Sequence, residues 1–292
     1  SSLLFLNPTI LMEHYLYRIG SEILQYLFSF LLLIYISSAS SMEPIEVGAL
    51  NKGYSLNDHV EYIVDSLGES EAEQLVLPSQ RWLKHDKETL SFGYTGSVYW
   101  FRFQVSNQSK INVSHLLEIA YPVLDDIQIF IYDETNQLIN EHHLGDKIPF
   151  DQRDIEHRNF VVPLELKAEQ SSTWLIRVKT SSAMQVPMTI WPEREFFIQD
   201  QSRVMGMGLY YGIMLIMTLY NLIVFVSVRE SNYLYYVLYV ASMAGFLASL
   251  QGLSFQYIWP MATSWNDSAI LVMLSGVVVF SSIFTRNLDW LF

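Results

Sequence analysis

Three stretches constrain this chain more than any other feature. Residues 204–228, 233–250 and 269–285 are long, apolar and almost free of charge. In hydrocarbon a single segment must satisfy its own backbone hydrogen bonds, which a helix of about 20 residues does. Transmembrane helices are therefore expected over 204–228, 233–252 and 268–286, and the lipid bilayer is the first expected partner. A shorter apolar run, 23–36, follows Arg18 and leads into Ser37, Ser38, Ala39 and Ser40. A basic residue, a short apolar core and small residues in that order form an export signal. Residues 1–41 are thus expected to be a signal peptide or an N-terminal anchor, with Met12 as its start.

The charges divide the chain. Of 17 Lys and Arg and 30 Asp and Glu, 14 and 25 respectively lie between Met42 and Arg203. Nearly all of the net charge of −13 therefore belongs to one polar segment ahead of the first span. An export signal would place that segment outside. Arg229 and Arg286 then fall on the inner side and Asp267 on the outer side, in the sense of the positive-inside rule. Tyr210, Tyr211, Tyr257, Trp259 and Trp265 sit near the expected interfaces, where amphipathic rings are favoured. Gly206, Gly208, Gly212, Ala241, Ala244, Gly245 and Gly276 offer small surfaces for close helix packing. The sequence ends directly after the third span at Asp289, Trp290, Leu291 and Phe292, as expected of a piece of a longer membrane protein.

The exported segment, residues 42–197, reads as β. Over 98–105 Tyr99, Phe101, Phe103 and Val105 alternate with Trp100, Arg102 and Gln104, the period of a strand. Residues 58–67, 115–120, 127–132, 137–144, 158–164, 173–180 and 186–191 are further strand candidates. Polar clusters at 107–109, 133–136, 145–147 and 169–171 separate them as turns. Short strands at this spacing, without amphipathic helices between them, predict an antiparallel sandwich.

The order of residues is also familiar. Phe92, Gly93, Tyr94 and Thr95 are followed by Tyr99 to Phe103 and Asn107. Then come Leu117 and Glu118, Tyr121 and Pro122, Asp125 and Asp126, Gly145 and Asp146, Pro149 and Phe150, Arg153, and His157 to Phe160. Pro163 and Leu164, Leu175 to Val178, Ser181 and Ser182, and 187–191 complete the set. This resembles the extracellular jelly-roll domain of bacterial seven-transmembrane receptors with diverse intracellular signalling modules. Gly206, Tyr210, Tyr211, Gly212, Tyr220, Asn221 and Leu222 resemble that family's first span. Ser231, Tyr233 to Tyr236 and Tyr239 resemble its second, and Phe284 with Arg286 the end of its third. The resemblance covers roughly residues 55–290. It implies an all-β jelly-roll sandwich, carbohydrate-binding-like, followed by α-helical transmembrane segments, in a sensor whose output is commonly a diguanylate cyclase or histidine kinase. This sequence holds neither output module nor the last four spans, so its own residues are expected to catalyse nothing. A homodimer through such an output module is compatible with this reading.

Candidate ligand residues carry two readings each. Trp100, Arg102 and Gln104 share a strand face that could stack and hydrogen-bond a small-molecule or carbohydrate ligand. Alternatively, Trp100 packs under a loop and Arg102 pairs with an acid. Arg177 and Lys179 pose the same choice. Arg153, His157 and Arg158 form either an anion site or ion pairs with Asp151, Asp154 and Glu156. Asp125, Asp126 and Asp133 carry oxygen ligands of the kind calcium takes, but no EF-hand spacing is present and neighbouring strand residues face opposite ways. The same geometry separates His142 from His143, and no metal is expected. Asn221 is the one strongly polar side chain well inside a span and suits a helix–helix hydrogen bond.

The sequence also excludes chemistry. Without cysteine there are no disulfides, thiolate zinc sites or cysteine nucleophiles. The acidic balance opposes nucleic-acid binding, which draws on basic patches. No P-loop, nucleophile elbow or metalloprotease motif occurs, and no cofactor is expected. The first expectation is the input and membrane part of a signalling receptor; a membrane-anchored carbohydrate-binding module and a tethered periplasmic hydrolase are the alternatives.

Overall fold

The computed structural model describes residues 42–77, 82–85 and 89–288; the expected export signal and residues 289–292 lie outside them. The strands are β1 (Ile45–Glu46), β2 (Tyr54–Ser55), β3 (Glu61–Asp65), β4 (Leu83–Lys84), β5 (Ser91–Tyr94), β6 (Val98–Asn107) and β7 (Val113–Ile119). They continue with β8 (Asp126–Tyr132), β9 (Leu138–Leu144), β10 (Phe160–Leu166), β11 (Gln170–Lys179), β12 (Ala183–Gln185) and β13 (Met188–Pro192).

A seven-stranded sheet runs β4-β3-β6-β11-β8-β9, with β1 added in parallel to the end of β6. A four-stranded sheet runs β10-β7-β13-β2, and β5 pairs with β12. Apart from β1 the pairings are antiparallel. Register follows the alternation read from the sequence: Phe101 lies opposite Ile176 and Ile176 opposite Ile129, so one continuous apolar face crosses three strands. Phe101, Phe103, Ile129 and Ile176 on that face, and Leu117, Leu164 and Ile190 on the smaller sheet, are fully buried. The fold is an antiparallel β-sandwich.

Both outer faces are partly covered, and on the large sheet this matches the packing alternative for Trp100, with a short helix in place of a loop. A short helix, α1 (Ala72–Leu75), lies over the outer face of the large sheet, where Ala72, Leu75 and Val76 enclose Trp100, Tyr132 and Leu175. On the small sheet, Phe196 packs against Leu116 and Val161, with Ile155 and Trp191 at the margin.

Phe196 belongs to α2 (Glu193–Val228), a helix of 36 residues. The sandwich was expected to extend to 197 and the first span to begin at 204. The last strand instead ends at Pro192, and the helix begins one residue later. Proline is compatible with a helix start, where no intrahelical partner awaits its missing N–H, and Glu193 and Glu195 favour the positive end of the helix dipole. At 1.5 Å per residue α2 is about 54 Å long, well beyond the ~30 Å of hydrocarbon. Its first turns therefore lie on the sandwich and the remainder forms the span.

Next come α3 (Ser231–Leu250), α4 (Leu253–Tyr257) and α5 (Thr263–Leu288). α2, α3 and α5 are long and apolar enough to cross a membrane. A Cβ on Gly245 would approach Met273, and one on Gly276 would approach Ser242, so these glycines seat the α3–α5 contact. Gly206, Gly208 and Gly212 meet nothing within 4 Å and lie on open faces of α2. Asn221 bonds its own helix through the Met217 carbonyl rather than a neighbouring span.

Candidate functional site

The buried ionisable residues Glu118, Asp146, Arg153, His157 and Arg158 gather where the sandwich meets the helices. The first link centres on Glu118. It interrupts the apolar strand β7 and points to its outer face, and it is only 1% exposed. A buried carboxylate is tolerable only when its oxygens are hydrogen-bonded. Asn159 Nδ2 donates to it at 2.6 Å, Trp191 Nε1 at 2.9 Å and Arg203 Nη1 at 3.0 Å. Arg203 comes from α2, so this group pins the helix to two strands of the small sheet.

The second link is Asp200, one turn earlier on α2. Arg158 Nη2 donates to its Oδ1 at 2.6 Å, and His157 Nε2 lies 3.0 Å from the same oxygen. The backbone N–H of Asn159 donates to His157 Nδ1 at 3.1 Å. That nitrogen must therefore be the acceptor, leaving the proton on Nε2, toward Asp200. Burial lowers the imidazole pKa, although Asp200 opposes the shift. His157 is consequently held neutral.

The third link joins the sandwich to the α3–α5 connection. Phe255 of α4 is buried and meets Phe150 edge-on at 5.8 Å. Arg153 lies 4.5 Å over both Phe150 and Phe160 and 5.6 Å over Phe255, while its Nη1 donates to the carbonyls of His157 and Arg158. Burial lowers its pKa to about 10, still well above neutrality, so the guanidinium stays charged. Phe150 N also donates to Pro260 O at 3.0 Å. Gly252 makes the approach possible: its φ is +72°, and a Cβ there would lie 2.8 Å from Pro122 and 2.9 Å from the Arg158 carbonyl.

A fourth group lies beside it. Asp146 is 3% exposed, and Asn266 Nδ2 approaches its Oδ2 at 3.4 Å. Lys147 pairs with Asp267 of α5. Burial, with Asp125 and Asp267 nearby, raises the Asp146 pKa to about 7.

The open end of the sandwich carries a different feature. A cleft of about 1140 Å³ lies between the β9 and β10 edges, with Ile131 and Trp174 at its apolar base. Asn112, Asp133, Glu165 and Glu169 are among the polar groups on its walls.

The candidate residues from the sequence separate accordingly. Trp100 is buried beneath α1. Arg102 donates to Glu61 at 2.6 Å and lies 4.4 Å over the Trp82 ring. Gln104 is half-buried on the same face. Arg177 pairs with Asp126 at 2.7 Å, which His143 also contacts. Arg153, His157 and Arg158 do converge, but on Asp200 and backbone carbonyls rather than on Asp151, Asp154 and Glu156; Asp154 pairs with His142. Asp133 lies at a turn, where Thr135 and Gln137 donate to it and hold its pKa down, far along β8 from Asp125 and Asp126. The strand pattern did signal one missed residue: an acid at 118 inside an apolar run. Asp200, Phe255 and Asn266 carried no such signal, because only the tertiary fold brings them to the sandwich.

Comparison with known proteins agrees with this architecture. Residues 57–192 match the family described as 7TMR-DISM extracellular 2, and 203–291 match 7TM diverse intracellular signalling. The chain belongs to this family of seven-transmembrane receptors with diverse intracellular signalling. It is a membrane protein, with the sandwich as its extracellular sensor domain and the helices as the start of its signalling membrane region. Similar solved structures include a family 35 carbohydrate-binding module from an environmental isolate, at 7% identity and TM-score 0.23, covering 50% of this chain and 88% of the module. A family 35 module from Clostridium thermocellum is 5% identical with TM-score 0.22, covering 47% and 90% respectively. Among curated proteins there is no match.

Proposed function

We propose that this chain is the sensory input and membrane part of a bacterial signalling receptor of the inner membrane. The sandwich, residues 42–203 with its helical extension, faces the periplasm, and a cytoplasmic output module receives the signal. Residues 1–41 direct export. Catalysis belongs to that output module in this reading, and among the described residues the buried charges hold elements together. The observation that carries the reading is the continuity of α2, which is clamped to the small sheet by Glu118–Arg203 and Arg158–Asp200 and continues as the first span. A helix fixed at one end to a sensor and crossing the bilayer at the other converts a shift of the sandwich into a shift of the span. Such coupling works only if ligand affinity differs between two arrangements.

The ligand is a small, hydroxyl-rich molecule of carbohydrate type, bound in the cleft between β9 and β10. Carboxylates and amides on its walls accept hydrogen bonds from hydroxyls and repel anions, and the apolar base suits a sugar face. Calorimetry on the full chain in lipid nanodiscs, with a panel of neutral oligosaccharides, tests this. Heat is expected for at least one sugar and is expected to be lost in Glu165→Ala; absence of heat across the panel contradicts the ligand class. Binding without any change in helix geometry would instead describe an anchored binding module.

A further inference from the structure

We infer that Asp125, Asp146 and Asp267 form a calcium site that fastens the sandwich to the α4–α5 connection. One carboxylate oxygen from each of the three lies within 4.8 Å of the others, the spacing of oxygens around one hard cation. The three come from separate parts of the chain. Asp125 precedes β8, Asp146 follows β9, and Asp267 lies in the first turns of α5. The backbone is built to bring the first two together. Gly145 has φ +149°, and a Cβ there would fall 2.1 Å from the Asp125 carbonyl oxygen, so only glycine permits the approach.

The buried carboxylate points independently to a ligand. Asp146 is 3% exposed, yet its Oδ1 has no hydrogen-bond partner and its Oδ2 has only the long contact from Asn266. A native protein rarely leaves such an oxygen unmatched. Asp125 is already satisfied on one side, through Ser181 N at 2.9 Å on Oδ2. Lys147 supplies one positive charge, on Asp267. Lys147 and the Arg153 guanidinium oppose three carboxylates, which leaves the cluster acidic. Arg153 makes no hydrogen bond to Asp146, whose Oδ1 stays without a partner; its Nη1 donates to the carbonyls of His157 and Arg158. Asp125 and Lys147 also line an open pocket, and Asp267 is exposed, so the cluster borders solvent. Calcium fits better than magnesium because three carboxylates on separate elements make a flexible shell, which calcium completes with water. This inference concerns the junction and does not depend on the sugar reading of the distal cleft.

The test uses the full chain in nanodiscs after treatment with a chelator. Terbium replaces calcium, excited through Trp259 and Trp265; Trp259 donates to Asn266. Sensitised emission reversed by calcium is expected, with calcium affinity in the 10⁻⁴–10⁻³ M range common in extracellular modules. A 10 mM calcium addition is expected to raise the unfolding temperature by about 3–10 °C. Asp146→Asn and, separately, the more exposed Asp267→Asn should each weaken binding at least tenfold, while Asp58→Asn, an exposed carboxylate outside the cluster, leaves it unchanged. If Asp146→Asn fails to fold, Asp267→Asn and Asp125→Asn decide. No calcium-dependent emission or melting shift in the unsubstituted chain overturns the site. Undiminished binding in Asp267→Asn and Asp125→Asn overturns it equally. Stability that responds to pH alone assigns Asp146 a proton in place of a metal and overturns it too.

Discussion

Removing the guanidinium of Arg203 should loosen the sandwich from its helix by a measurable amount. Arg203 Nη1 donates to Glu118 at 3.0 Å and 3.3 Å, and its guanidinium lies 5.5 Å over the Trp191 ring. A hydrogen bond to a charged group contributes about 1.5–3 kcal/mol. The Glu118 side chain is 1% exposed and keeps that strength, but the Arg203 side chain is 40% exposed and is screened by solvent. Glu118 also retains Asn159 and Trp191 as donors. Arg203→Ala should therefore cost about 1–2 kcal/mol, or about 2–8 °C in apparent unfolding temperature for a chain of this size. Glu118→Ala should cost more, about 3–5 kcal/mol, because it strands three donors at once. The assay is thermal unfolding in nanodiscs at one scan rate, followed by tryptophan fluorescence, on Glu118→Gln, Arg203→Ala and their combination. A coupling of about 1–2 kcal/mol is expected from the cycle. A coupling below about 0.3 kcal/mol, with the two changes simply additive, would refute the claim that this pair joins sensor to span.

Other consequences follow from the same junction. His157 is held neutral by its Asn159 N–H contact, and burial puts its pKa below 6.5, with Asp200, Arg158 and Glu118 as the surrounding charged groups. Its contribution to stability is complete above pH 6.5 and is lost as pH falls through the folded value, because the unfolded chain then binds the proton more readily. Asp146, with its pKa raised to about 7, contributes the opposite slope, so the loss is read from melting curves as the difference between the unaltered chain and His157→Gln from pH 7.5 to 5; a difference that does not change with pH contradicts the assignment. Phe255→Ala should cost about 3–5 kcal/mol and raise amide exchange across 251–262. Protection unchanged in that segment would mean that the ring does not hold the connection. Trp100→Ala should cost a similar amount while leaving sugar binding intact, since its ring is core beneath α1. Loss of binding at full stability would return the ligand to that face.

The pattern of residues revealed the sandwich because burial on one face of a strand imposes a period of two. Phe101, Phe103 and Val105 marked the core directly. The spans were equally visible, since the bilayer demands length and apolarity from a continuous segment. The outer faces were legible only as alternatives. Whether Trp100 met solvent depended on α1, and nothing local in 98–107 records what another segment lays over it. The junction was legible only in halves. Arg153, His157 and Arg158 stood out as a charged cluster, but their neighbours in sequence offered nearby acids, and the actual partner is Asp200, 42 residues beyond Arg158. The helical lead-in to the span was not read from the sequence for a related reason. Hydropathy marks the span only from 204, whereas the helical period of 193–203 serves the sandwich surface through Phe196, Asp200 and Arg203.

The central claim is that the sandwich and the first span move as one body through the Glu118 and Asp200 links. The absence of cysteine makes a direct measurement simple, because two introduced cysteines can carry the only spin labels. One is placed at the exposed Leu138 on β9 and the other at Val228, the inner end of α2. Double electron–electron resonance in nanodiscs should give one narrow distance distribution, broadened or shifted when Glu118→Gln and Asp200→Asn are combined. A broad distribution in the otherwise unaltered chain, or one indifferent to both substitutions, would contradict the account.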